Sequence, residues 1–281
     1  MEVKKERNST IPIKVRIITG ILITVGAFFA LAVGNYIFPS NDGKIRNEIL
    51  TYCIPFAYLI VVYGIARKFN LINQSFFENK DIRFKGLKTF FTGFLCMILA
   101  ICISILSSVL PFVGTKSVEN FNLMLIQLIV LSLCIGIFEE GLFRGVILRI
   151  LFKDNSKKSL WIGFMFSSFL FGMIHFGNLT IATQRPIAIT SQVIYAMMLG
   201  LLLSALYIRF KSYIGIVCLH GFVDFISFVP RLYGKDLGTS SEAVADISLK
   251  NGLTTVGVLV PSAILGIVIL IRFSKKYYCN K

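Results

Sequence analysis

Apolar residues form long runs along this chain, and short polar connectors separate them. Eight runs approach or exceed the roughly 18–20 residues that a helix needs to cross a bilayer, and they lie at about residues 17–38, 49–66, 89–113, 121–149, 159–177, 187–208, 212–230 and 252–271. The first run is longer than the apolar core of a typical secretory signal, so we interpret it as an uncleaved span. The pattern predicts an all-α fold, a polytopic transmembrane helical bundle of about eight spans.

The composition supports this interpretation and excludes an ordinary soluble domain. Of the 281 residues, 56% are hydrophobic and only 15% are charged, whereas soluble domains carry about 25% charged residues. The six cysteines show no C-x-x-C spacing. We therefore expect them to be small buried hydrophobes rather than a disulfide framework.

Basic residues are unevenly distributed between the two sides of the predicted bundle. The formal net charge is +15, with 29 Lys and Arg against 14 Asp and Glu. With the N-terminus inside, the inner connectors and the C-terminal tail hold most of the basic residues: Arg67, Lys68, Lys80, Arg83, Lys85, Lys88, Arg149, Lys153, Lys157, Lys158, Arg209, Lys211, Arg272, Lys275, Lys276 and Lys281. The positive-inside bias of membrane proteins explains this distribution better than nucleic-acid binding does. We expect cytoplasmic N- and C-termini, a cell membrane location (a bacterial plasma membrane) and no nucleic-acid partner.

Few ionisable residues interrupt the apolar runs. Such side chains are costly within a membrane and usually face the bundle interior, so each is a functional candidate. The set comprises three residues of the fourth run, one of the fifth and two of the seventh: Glu139, Glu140, Arg144, His175, His220 and Asp224. Both histidines of the chain belong to it.

Helical spacing pairs some of these residues and leaves Glu139 apart. Arg144 follows Glu140 by four residues, so the two can pair along one face, as a structural ion pair or as part of a site. Successive residues point about 100° apart, so Glu139 has no partner on its own helix, which suits a general base. His220 and Asp224 also lie four residues apart, a spacing that fits an intrahelical hydrogen bond, an oriented imidazole or a metal site.

The depth of each candidate follows from its distance along the helix to the nearest inner basic residue. At about 1.5 Å per residue, Glu139 lies roughly 15 Å deep, His220 roughly 13 Å and Asp224 roughly 19 Å. His175 comes out at roughly 25 Å, too deep unless its helix starts late or tilts.

Gathered in one place, these acids and imidazoles would match the needs of water activation. No H-E-x-x-H or G-x-S-x-G motif is present, and nothing positions a cysteine as a nucleophile.

Three motifs in this set resemble those of the CPBP family of intramembrane proteases, also called the Abi or CAAX-prenyl-protease type. "EEGLFRG" (Glu139–Gly145) is similar to the family's E-E-x-x-x-R, "FGMIH" (Phe171–His175) to F-x-x-x-H, and "HGFVD" (His220–Asp224) to H-x-x-x-[N/D]. They occur in order, each inside an apolar run, over about residues 130–225.

The resemblance implies one bundle with a catalytic core at 126–230. N-terminal helices and a cytoplasmic loop at 1–125 precede it, and an outer loop and last helix at 231–281 follow. Within the loop, the segment 68–88 is interpreted as an amphipathic helix on the inner membrane surface or a solvated loop.

The resemblance also implies a role for each matched position. Glu139 would be the base that activates water, beside Glu140 and Arg144, with His175 helping to position the water. His220 and Asp224 would stabilise the oxyanion or, together with His175, bind a metal such as Zn²⁺; a metal-free mechanism is the alternative. Many members carry Asn where this chain has Asp224. An ionised Asp cannot donate a hydrogen bond to an oxyanion, which favours either a metal or an Asp224 that keeps its proton.

We therefore expect an intramembrane endopeptidase acting on a peptide or membrane-protein substrate delivered from the inner leaflet of the lipid bilayer. One alternative is a non-enzymatic membrane immunity or resistance protein that binds a peptide or partner, by analogy with family members near peptide-bacteriocin clusters. Another is a small transporter that relays protons through Glu and His. The sequence shows no repeat halves of the kind many transporters have.

Overall fold

Helices account for the architecture of this protein. The computed structural model describes residues 11–39, 45–77, 82–112, 117–180, 186–234 and 249–279, and within those ranges it contains no strand. Eight helical segments are long and apolar enough to cross a membrane: Ile13–Ile37, Ile45–Lys68, Lys85–Leu106, Phe121–Leu151, Lys157–Asn178, Pro186–Phe210, Tyr213–Tyr233 and Gly252–Cys279. The predicted all-α bundle is confirmed, and the chain is a multi-pass membrane protein. The orientation of its termini stays a prediction. The connectors at 40–44, 78–81, 113–116, 181–185 and 235–248 lie outside the described residues.

The α-helices of the described residues are α1 (Ile13–Ile37), α2 (Ile45–Thr51), α3 (Cys53–Lys68), α4 (Gln74–Phe77), α5 (Ile82–Ser108), α6 (Phe121–Glu140), α7 (Leu148–Leu151), α8 (Lys157–Met173), α9 (Pro186–Phe210), α10 (Tyr213–Phe228) and α11 (Leu249–Cys279). A π-helical turn, Gly141–Ile147, joins α6 to α7 in one continuous rod. Tighter 3₁₀ turns lie at Leu110–Phe112, Ile174–Thr180 and Val229–Tyr233. A π-helical turn inside an α-helix is rare and frequently marks a functional site.

Helix α9 occupies the centre of the bundle. It packs against α8 and α11, while α10 packs against α5 and α6, and α9 has the largest buried share of the eight spans. A glycine permits its close contact with α8, because a Cβ at Gly172 would lie 2.3 Å from Met197 Cγ and 2.6 Å from the Val193 carbonyl oxygen. Small residues of this kind let membrane helices approach each other closely.

Side chains fill the core at one end of the bundle. This is the basic end, where α1, α5, α8 and α10 begin and α3, α7, α9 and α11 finish. An aromatic cluster closes it, with Phe77 stacked on Tyr207 at 4.8 Å and Phe76 edge-on to Phe152 at 4.8 Å between ring centroids. All four side chains are buried. Phe76 and Phe77 therefore face the core, which differs from both the amphipathic surface helix and the solvated loop considered for 68–88.

Polar contacts fasten the connector between α7 and α8 at the same end. Arg16 donates from Nη2 to Asp154 Oδ2 at 2.6 Å and from Nη1 to the Leu151 carbonyl at 2.8 Å. Burial raises the pKa of Asp154, but hydrogen bonds from Ser159, Ser156 and Arg16 outweigh it and lower this pKa to about 2. The start of α1 is thus tied to the loop that follows the π-containing rod.

Candidate active site

The acidic pair lies where α6 meets the π-helical turn. Glu140 and Arg144 are fully buried, and Arg144 Nη1 donates to Glu140 Oε1 at 2.8 Å. The predicted pairing along one helix face is confirmed. Arg144 also donates from Nη2 to the Gly200 carbonyl at 2.9 Å and from Nε to Ser204 Oγ at 3.3 Å. Its guanidinium therefore links the rod to the central helix α9.

His220 joins this pair from α10. Its Nδ1 lies 2.8 Å from Glu140 Oε1, the same oxygen that accepts from Arg144. Its Nε2 lies 3.7 Å from Glu139 Oε2 and 3.6 Å from Asp224 Oδ2. The Glu140 carboxylate thus holds both the guanidinium and the imidazole. The other ring nitrogen of His220 is directed at two further acids.

Three of the acidic oxygens are left without hydrogen bonds. Glu139 Oε2, Glu140 Oε2 and Asp224 Oδ2 are buried, and none has a hydrogen-bond partner among the residues that the structure describes. Unlike Glu140, Glu139 and Asp224 line a cavity. Because buried polar atoms are usually satisfied by protein or by ordered water, the cavity beside these oxygens suits a polar guest such as water.

Phe171 organises the aromatic side of the site. Its ring contacts His175 and His220 edge-on, with centroids 5.6 Å away in each case, and Arg144 Cζ lies 4.5 Å from its centroid. His175 itself lies in the 3₁₀ turn that follows α8 and lines the same cavity as Glu139. Helix α8 begins at Lys157 and does not start late. The depth discrepancy for His175 arises because the cavity extends towards the end of the bundle where α8 finishes.

The cavity has a volume of about 830 Å³. It contains four of the predicted site residues in its wall: Glu139, His175, His220 and Asp224. Glu140 and Arg144 stand behind them in the core. Most of the remaining wall is apolar, with Phe28, Met97 and Leu131 among its members. The structure thus brings all six candidates together, and it divides them into a cavity-facing set and a supporting pair.

The described residues show no preformed metal site. Across the described ranges, no group of three His, Cys, Asp or Glu side chains is arranged to hold a metal ion. His220 Nδ1 contacts Glu140, and His175 packs edge-on against Phe171. Zinc binding by His175, His220 and Asp224 stays a prediction.

The cysteines differ from the sequence-based expectation. All six are free, and four of them are exposed rather than buried: Cys53, Cys102, Cys218 and Cys279. Cys134 and Cys218, the two nearest the polar motifs in sequence, are absent from the cavity wall formed by the described residues. The structure gives neither thiol a position from which to act as a nucleophile in this cavity.

Several supporting residues were missed by the sequence-based reasoning. Ser204 and the Gly200 carbonyl hold Arg144, and Ser168 Oγ lies 3.3 Å from Ser204 Oγ. Tyr52 and Tyr195 line the cavity. The available signal was a hydroxyl within an apolar run, as in "LLLSALY", but serine and tyrosine are common in membrane helices and carry no charge to draw attention.

The comparisons with known proteins agree with the motifs. A family model described as "Type II CAAX prenyl endopeptidase Rce1-like" matches residues 120–226, a little over a third of the chain. This region contains all six candidate residues, and the predicted resemblance to the CPBP family is confirmed. No curated protein and no solved structure matches the chain. The family match supports a CAAX-type intramembrane endopeptidase in general, with a peptide substrate in a lipid bilayer.

Proposed function

We propose that this CPBP-type protein is an intramembrane endopeptidase in which Glu139 activates water for attack on a peptide bond, in the plasma membrane of a bacterium. The observation that carries the proposal is the unpartnered, buried Oε2 of Glu139 in the wall of a cavity that also holds His175, His220 and Asp224. A base must lie within hydrogen-bond reach of the proton it accepts. A water in the cavity that contacts both Glu139 Oε2 and His220 Nε2, which are 3.7 Å apart, meets that condition.

The proposed reaction uses only groups that the chain provides. Glu139 accepts a proton from water as the water oxygen bonds to the carbonyl carbon of the substrate. The carbonyl π electrons move to oxygen, and this oxyanion is stabilised by His220 Nε2–H in the imidazolium form. Collapse of the intermediate breaks the C–N bond, and Glu139 returns the proton to the leaving amine.

Asp224 fits this scheme as a partner of His220 rather than as an oxyanion donor. Its Oδ2 lies 3.6 Å from Nε2, and Glu140 holds Nδ1 from the other side. Acidic oxygens thus lie near both ring nitrogens of His220. His175 is assigned to positioning the water at the cavity wall.

The proposal is tested by measuring peptide cleavage in lipid by the purified Glu139→Gln variant, which removes the base and keeps the shape. Loss of a general base lowers the rate by about 10²–10⁴-fold, so we expect a drop of that order with an unchanged elution profile. Glu48→Gln is the matched control, because Glu48 lines the same cavity but its carboxylate is engaged by Arg231. If Glu139→Gln cleaves as fast as the wild type, the assignment is wrong.

The metal-free character of the proposal has a separate test. We expect chelation of divalent metals to leave cleavage unchanged and elemental analysis to find no stoichiometric zinc. An activity that falls on chelation and returns with added zinc would contradict the mechanism, although the endopeptidase assignment would survive.

A further inference from the structure

Among the residues that the structure describes, the active-site cavity extends towards only one end of the bundle. Besides the site residues, its wall includes polar positions near the last turns of α1 and α10, near the first turns of α9 and α11, in α2 and in the turn after α8: Asn35, Ser227, Gln192, Thr254, Glu48 and Asn178. All of these positions lie at the end opposite to the basic end. We call it the open end.

The path from Glu139 towards the basic end is filled instead. The continuation of the same rod buries Leu142, Phe143, Val146 and Ile147 with no exposed surface. Beyond them lies the aromatic cluster of Phe76, Phe77, Phe152 and Tyr207. A peptide that came from the basic end would have to displace this packed core.

The charge distribution assigns the two ends to the two sides of the membrane. Within the described ranges, the wall of the cavity contains no Lys or Arg. The basic end carries clusters at the starts of α1 and α8 and at the ends of α3 and α11: Lys14, Arg16, Lys157, Lys158, Arg67, Lys68, Arg272, Lys275 and Lys276. Connectors rich in Lys and Arg remain on the cytoplasmic side. The open end therefore corresponds to the outer face.

We propose that substrate enters this site from the outer face of the membrane, as the apolar segment of an extracytoplasmic peptide, and not from the inner leaflet. The apolar wall with Phe28, Leu31 and Met97 provides contacts for such a segment, and the volume of about 830 Å³ falls within the range of about 300–1,000 Å³ that ligand pockets occupy. The peptide nature of the substrate rests on the proposed function. The side of entry does not.

Thiol accessibility in intact cells tests the side of entry without any need for activity. The first variant keeps Cys279, at the end of α11, and replaces the other five cysteines with Ala. The second carries Cys279→Ala as well and introduces Ser227→Cys in the cavity wall, three residues after Asp224. The third places Phe29→Cys on the lipid-facing side of α1, where the side chain is 62% exposed. Each is treated with a small charged thiosulfonate that does not cross membranes, before and after the cells are opened.

The expected pattern is modification of Ser227→Cys in intact cells, modification of Cys279 only in opened cells, and little modification of Phe29→Cys in either. Modification of Ser227→Cys only after opening places the cavity mouth in the cytoplasm and overturns the proposal. It is equally overturned if Ser227→Cys stays unmodified in opened cells, or if Phe29→Cys reacts as fast as Ser227→Cys. A protein that shows the expected pattern but cleaves no peptide refutes the proposed function and leaves the route of access standing.

Discussion

Removing one partner of the buried Glu140–Arg144 pair should cost far more stability than removing both. Arg144→Met keeps much of the side-chain volume but takes away the guanidinium, which makes three polar contacts and lies against the Phe171 ring. Glu140 is then a fully buried carboxylate whose one remaining partner among the described residues is His220. Glu140→Gln has the converse effect, because it leaves the buried guanidinium of Arg144 without its carboxylate partner.

The magnitude follows from the burial of both groups. Breaking a buried ion pair by removing one partner typically costs about 3–5 kcal/mol, whereas replacing both with apolar or neutral groups is often close to neutral. The side chains of Glu140 and Arg144 are both 0% exposed, so these figures need no reduction for solvent screening. We expect each single variant to lose about 3–5 kcal/mol. The double variant should lose less than either single variant, which corresponds to a coupling energy above about 3 kcal/mol.

The free energy of unfolding is measured by titrating purified protein in mixed micelles with sodium dodecyl sulfate. Arg209→Met is the matched control, because Arg209 is exposed at the basic end and its loss should change stability by less than about 0.5 kcal/mol. Strict additivity of the Glu140→Gln and Arg144→Met effects would show that the two residues do not act as one unit. The account of this pair as the support of the site would then fail.

Three other variants probe the packing and the basic end. Because the pKa of Asp154 is about 2, below its unfolded value of about 3.9, its ionised form stabilises the fold above about pH 4 and this stabilisation is lost as the pH falls through about 2. Asp154→Asn should lower the melting midpoint at pH 7 and leave it unchanged near pH 2. Gly172→Ala should destabilise, since its Cβ would meet a backbone oxygen at 2.6 Å, whereas Gly64→Ala has open space and should not; equal melting midpoints would contradict this. Phe77→Ala in the aromatic cluster should cost about 3–5 kcal/mol, and Phe91→Ala on the exposed surface of α5 much less; the reverse order would refute the closed basic end.

The sequence was sufficient to predict the helices and to select the ionisable residues that the fold brings together. Apolar runs long enough to cross a bilayer have few alternatives to a helix, because the backbone must satisfy its own hydrogen bonds in lipid. Charged residues within those runs are costly, so Glu139 and His220 stood out without any structure. The pairing of Glu140 with Arg144 followed from spacing on a single helix.

Other features depended on contacts between helices. The π-helical turn after Glu140 and the support of Arg144 by Ser204 and the Gly200 carbonyl arise from packing against α9. The burial of Phe76 and Phe77 also follows from tertiary structure, because an apolar pair near a membrane surface can pack against lipid or against protein. The contact of His175 with the same cavity as Glu139 also depends on packing between helices, which a count along one helix does not include.

The two adjacent carboxylates owe their different tasks to this tertiary setting. Glu140 lies behind the cavity wall, where one of its oxygens contacts both Arg144 and His220, so its charge is used in holding two cations or donors in place. Glu139 lines the cavity, and its Oε2 accepts no hydrogen bond from any described residue, so its charge is available to a guest. Successive helical positions diverge by about 100°, and this divergence directs one carboxylate into the core and its neighbour into the cavity. We therefore expect Glu140→Gln to lower stability and activity together, and Glu139→Gln to lower activity while the melting midpoint stays the same or rises. A Glu139→Gln variant that melts as early as Glu140→Gln would show that both acids serve the fold.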